Sequence, residues 1–127
     1  MKGVLILAHG SKRKETEETL DKIIEALKGE LRKGNKMKEI GEIESAFLQF
    51  SERNLHAGLE ALMNKGVNDI LLVPYFLFDG AHIKEDIPEE IEEFTNQYPN
   101  IRVHMGKTLG TDSRLALILR DRILEMM

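Results

Sequence analysis

Two runs without a single polar residue, Val4-Leu5-Ile6-Leu7 and Ile70-Leu71-Leu72-Val73, constrain the fold more than anything else in the chain. A strand with one face in water alternates apolar and polar residues. An unbroken apolar run of this length, bounded by turn residues, belongs to a strand covered on both faces. The first run sets a strand over residues 2–8 and the second over 69–75. Between and after them apolar residues recur at spacings of three and four. Leu20, Ile23, Ile24, Leu27 and Leu31 make one stripe of a helix over residues 14–33, with Gly34 as its stop. A second strand, more polar, is expected over 41–50. A helix carrying Leu55, Leu59, Leu62 and Met63 then ends near Gly66. After Asp79-Gly80 a helical stretch places Ile83, Ile87, Ile91 and Phe94 on one side, with Pro88 in a first turn. A short strand over 101–104 and a helix over 112–127 complete the alternation. Leu115, Ile118, Leu119, Ile123 and Met126 of that last helix form a stripe expected to face the sheet.

Strand and helix alternating four times imply an α/β fold, a parallel sheet with right-handed crossovers and helices on both faces. The two most apolar strands, first and third, belong in the centre and the more polar second and fourth at the edges. The strand order is therefore 2-1-3-4, a doubly wound, flavodoxin-like sheet whose switch point lies between the first and third strands. With 127 residues, 42% of them hydrophobic, the chain makes one domain over 1–127. The apolar run near the start is too short to span a bilayer and leads into a polar loop, so neither a signal peptide nor a membrane helix is expected. The absence of cysteine removes disulfides and thiolate chemistry, in keeping with a cytoplasmic protein. A net charge of −4 argues against a general nucleic-acid binder.

The topology gives two histidines a common destination. His9 follows the first strand in Ala8-His9-Gly10-Ser11, and His82 lies a few residues beyond the third, in Asp79-Gly80-Ala81-His82. If these strands are neighbours, both imidazoles reach the ligand crevice at the carboxyl ends of the strands. Neutral imidazole is a ligand for cobalt, nickel, iron and zinc at neutral pH. Taken singly, each histidine reads as a polar loop residue; their convergence points to a metal.

The same segments carry a family likeness that extends over nearly the whole chain. Leu5-Ile6-Leu7-Ala8-His9-Gly10-Ser11, Ala46-Phe47-Leu48, and Val73-Pro74-Tyr75-Phe76-Leu77 through Gly80, His82, Asp86, Ile87 and Pro88 resemble the short sirohydrochlorin chelatases of the class II chelatase superfamily, the small cobaltochelatases in particular. The resemblance implies a metal-inserting lyase that places a divalent ion, Co2+ first and Fe2+ or Ni2+ next, into sirohydrochlorin with release of two protons. It implies that His9 and His82 bind the metal and act on the macrocycle, and that the metal is a substrate with no permanently bound cofactor. The sequence departs from the family at Gln49, where relatives often carry a glutamate that contributes to the metal site. Glu52 is a candidate replacement, although its first-turn position near a helix start is reason enough for its charge.

Around the two histidine loops, Ser11, Lys12, Arg13, Phe76, Gly80 and Lys84 are the expected substrate contacts: cations for the carboxylates of the tetrapyrrole, an aromatic ring for its face. Ser11 has a plain alternative as a loop or capping hydroxyl. Phe76 and Phe78 share the role of wall, one of them being core. His104 ends the fourth strand and is a candidate lining residue, whereas His56 reads as a helix boundary residue. The acidic run Glu85, Asp86, Glu89, Glu90, Glu92, Glu93 reads as carboxylates gathered near a helix start with the remainder solvated.

Three other readings compete. A histidine phosphatase needs an arginine immediately before its first-strand histidine, and Ala8 stands there. A nucleotide or flavin module would rest on fold analogy alone, because neither a Gly-x-Gly-x-x-Gly turn nor a Walker lysine loop is present. A non-catalytic metal or tetrapyrrole carrier would keep the site without turnover. Finally, a homodimer is expected. Larger relatives in the family hold two such domains around one cleft, and Leu117 and Leu124 form an outward ridge on the last helix beside Met127.

Overall fold

The structure, a computed structural model that describes residues 1–80 and 85–127, runs β1 (Lys2–Ala8), α1 (Lys14–Lys33), β2 (Ile40–Phe47), α2 (Leu55–Asn64), β3 (Asp69–Pro74), α3 (Ile87–Gln97), β4 (Arg102–Met105) and α4 (Ser113–Glu125). The four strands form one parallel sheet in the order β2-β1-β3-β4, the order the apolar runs imply. β1 lies between β2 and β3, with Leu5 opposite Glu44 on one side and Leu72 on the other. Its six residues from Gly3 to Ala8 are all buried, which is why the run needs no polar member.

The two faces bury different sets. Leu5, Leu7, Ile70 and Leu72 pack with Leu55, Leu59 and Leu62 of α2 and Ile87 and Phe94 of α3. Val4, Ile6, Ala8 and Phe47 pack on the opposite face with Leu20 and Ile24 of α1. Gly58 lets α2 lie close to the sheet. A Cβ there would stand 2.8 Å from a methyl of Leu5 and 3.0 Å from the Cβ of Ala46.

Two expectations change. The second strand stops at Phe47 and does not run to residue 50. Leu48 and Gln49 still donate to backbone carbonyls of the β1 loop, but Phe50 takes a left-handed conformation (φ 59°) that ends the extended run. The larger difference is α4. Its stripe does not face the sheet: the helix buries no residue, and Ile118, Leu119 and Ile123 are 49%, 65% and 55% exposed. The preceding loop explains the departure. The N–H groups of Gly106, Leu109 and Gly110 donate to the carbonyls of Leu72, Phe76 and Leu77, so the chain follows the segment leaving β3 past the end of the sheet. Asp112 then caps α4, accepting from the Arg114 N–H, with the helix already carried away from the face it would cover. On that face Leu71 and Val73 of β3 are only partly buried.

Candidate functional site

At the carboxyl end of β1 the chain must turn at once, because the next residues lie against the segment leaving β2. The N–H groups of Leu48 and Gln49 donate to the carbonyls of Ala8 (2.9 Å) and His9 (3.1 Å), extending the β1–β2 pairing by two residues. Gly10 makes the turn with φ 90°, and a Cβ there would stand 2.1 Å from the Gln49 carbonyl oxygen, so only glycine fits. On the other side of β1, the Tyr75 N–H donates to the Leu7 carbonyl, and Phe76 tucks its ring into the core. That ring meets the His9 imidazole edge to face, with centroids 4.8 Å apart. His9 is thus an exposed side chain whose carbonyl is held from the β2 side and whose ring packs on Phe76 from the β3 side.

The imidazole borders a pocket of about 240 Å³ whose other walls are Leu48 and Gln49 from the end of β2 and Asp86, Ile87 and Glu90 from the start of α3. Glu90 is the unusual group here. Burial pushes its carboxyl above the ordinary glutamate range, opposed by the His56 imidazole and reinforced by the like charge of Glu93. At the same carboxyl end of the sheet, Phe50, Leu77 and Phe78 expose large apolar side chains in the loops after β2 and β3. A second cavity of about 320 Å³ borders the start of α1, between Ala8, Phe47 and Tyr75 on one side and Arg13, Thr16, Thr19 and Ile23 on the other.

Of the residues singled out from sequence, His9 and Gln49 meet in the first pocket. Gln49 offers an amide there, without charge. Phe76 is the core member of the aromatic pair, and Phe78, 81% exposed, is the one available as a wall. Ser11 accepts from the Arg13 N–H (2.9 Å), a local loop bond. Lys12 lies 5.4 Å over the Phe50 ring, and Arg13 is exposed at the start of α1. Gly80 is exposed, with no described atom crowding its Cα. Glu52 sits in the bend before α2, whose cap is Asn54, and is not among the pocket residues. His104 is not brought to the pocket either. β4 is so short that His104 pairs at the level of Leu71, where its Nε2 meets Asp69 Oδ1 at 2.8 Å, near the opposite end of the sheet. His56 stacks on Phe94 and pairs with Glu60. His82 and Lys84 lie outside the described residues. Among the described residues, no three histidine, aspartate or glutamate side chains close into a metal cage.

The residue that sequence reasoning passed over is Glu90, read there as part of a solvated acidic run. Its position carried a signal. It lies three residues after Ile87 and four before Phe94, both buried, and so shares the inward stripe of α3. Glu89, beside it, is exposed.

The CbiX family profile matches residues 3–126. The sirohydrochlorin ferrochelatase of Priestia megaterium is 35% identical over 125 residues, 98% of this chain and 44% of that one. The sirohydrochlorin cobaltochelatase of Sulfurisphaera tokodaii is 29% identical over 127 residues, 100% of this chain and 95% of that one. The crystal structure of the sirohydrochlorin chelatase SirB from Bacillus subtilis subspecies spizizenii in complex with cobalt superposes with a TM-score of 0.85 at 30% identity, over 98% of this chain and 50% of that one. The chain thus spans half or less of the longer relatives and nearly all of the short one.

Proposed function

Since this chain belongs to the CbiX family, we propose that it is a sirohydrochlorin chelatase that inserts a divalent metal, Co2+ by preference and Fe2+ or Ni2+ as alternatives, into the tetrapyrrole. The observation that carries this reading is the His9 imidazole, packed on Phe76 at the carboxyl end of the central strand and bordering a small pocket with an amide and two carboxylates. A pocket of about 240 Å³ accommodates a hydrated cation and is too small for a tetrapyrrole. The macrocycle is therefore proposed to lie outside it, over the loops that expose Phe50, Leu77 and Phe78, with Lys12 and Arg13 available to its carboxylates. Insertion removes two pyrrole protons while the ion exchanges water for ring nitrogens. A neutral imidazole can hold the ion or accept a proton. His82, placed by the sequence a few residues after β3, is the proposed second imidazole.

The test is anaerobic incubation of the purified protein with sirohydrochlorin and each of Co2+, Fe2+ and Ni2+ in turn, followed by absorbance. Insertion should be lost, by at least about a hundredfold, in His9→Ala and in His82→Ala. Near-normal turnover in either variant would remove that histidine from the reaction. Binding of sirohydrochlorin and metal without any product would favour a carrier instead.

The functional unit we propose is a homodimer. α4 leaves its apolar side chains in water, and Leu71 and Val73 are only partly covered on the face the helix would ordinarily protect. A second copy supplies the missing partner for both surfaces, and reciprocal packing of α4 obeys two-fold symmetry.

A further inference from the structure

Of the six described residues that border the His9 pocket, Asp86 and Glu90 are the two acidic ones, and both come from the start of α3. Asp86 and Glu90 are one helical turn apart and so share a face of the helix. A helix start favours carboxylates, which accounts for glutamates in this turn. It does not account for which way each one points. Glu89 has the same dipole interaction and stays exposed, whereas Glu90 turns inward and makes no hydrogen bond to a described residue. A carboxylate with part of its hydration removed and no donor in return is destabilised, and its attraction for a cation rises as the surrounding dielectric falls.

We propose that Glu90 is the carboxylate that draws the divalent ion into the His9 pocket, supplying the negative charge that Gln49 does not. The inference rests on the metal-insertion reading and goes past it, because it assigns to α3 a role that neither histidine performs. The ion arrives with its water shell. Glu90 accepts hydrogen bonds from that shell and offsets the charge of the ion while the imidazole displaces a water. Glu90 is thus a positioning residue for capture.

The experiment compares wild type with Glu90→Gln, Glu89→Gln and the double variant Glu90→Gln, Gln49→Glu. Co2+ alone is titrated into each by calorimetry, and insertion into sirohydrochlorin is measured over a range of Co2+. In Glu90→Gln the Kd and KM for Co2+ should both rise about tenfold, the loss of one modest charge interaction, with kcat within about twofold. Glu89→Gln should match wild type, and Gln49→Glu should restore most of what Glu90→Gln loses. Unchanged Kd and KM in Glu90→Gln would overturn the proposal, as would an equal loss in Glu89→Gln, which would mark a general effect of net charge. A wild type that binds Co2+ but inserts none would count against the chelatase reading, while the calorimetric series would still decide the role of Glu90.

Discussion

α3 and α4 look alike in sequence and end in opposite circumstances. Each is an amphipathic helix following a strand, with an apolar stripe wide enough to cover part of a sheet. α3 buries Ile87 and Phe94 against β1, β3 and α2, and in doing so holds Glu90 beside His9. α4, with more apolar residues, buries none. The difference teaches that a stripe establishes a need for cover without naming its source. For α3 the source is the sheet of its own chain. For α4 the loop anchored to Leu72, Phe76 and Leu77 directs the helix elsewhere, and its stripe stays exposed.

The contrast should be widest in unfolding. Phe94→Ala removes a ring that is 2% exposed and packs on His56 and Tyr98, and it should cost about 3–5 kcal/mol in urea denaturation. Ile118→Ala, in protein diluted enough to be monomeric, should stay within about 0.5 kcal/mol. A large loss from the second substitution under those conditions would mean that α4 docks on its own chain after all.

Next in size is assembly. Leu117→Glu with Leu124→Glu places two carboxylates where the dimer should bury two leucines. Each leucine is worth about 1.5–3 kcal/mol on full burial, so dissociation should become at least a hundredfold easier in sedimentation at micromolar concentration. A wild type that is monomeric with full activity would refute the dimer. A dimer indifferent to the double substitution would put its interface away from this ridge.

The smallest effect belongs to the inward carboxylate of α3. Burial raises the pKa of Glu90 above its unfolded value, so this group favours the folded state below the unfolded value, about 4.3, and that advantage is lost as pH rises through the folded value. Glu90→Gln lacks the charge at every pH. It should therefore melt slightly higher than wild type at pH 7, with the difference closing as pH falls toward 4. A variant that melts markedly lower at pH 7 would give Glu90 a structural role and weaken its assignment to metal capture.

Much of this molecule was legible before any coordinate. The unbroken runs in β1 and β3 mark the central pair, and with the alternation they point to the order 2-1-3-4, because the middle strands of a doubly wound sheet are covered on both faces. Placing His9 at the carboxyl end of the central strand follows from that order alone. Gly10 after His9 was visible as a turn, but its necessity was not. That comes from the Gln49 carbonyl, 39 residues away in sequence, standing where a side chain would begin. The partnership of His9 with Phe76, the inward turn of Glu90 and the departure of His104 to Asp69 are likewise decided by strand register and loop length. Periodicity records which residues seek cover, since hydrophobic burial is a property of single side chains and their spacing. Only the tertiary structure settles which surface meets which, because contacts, local dielectric and the path of a loop depend on residues distant in the chain.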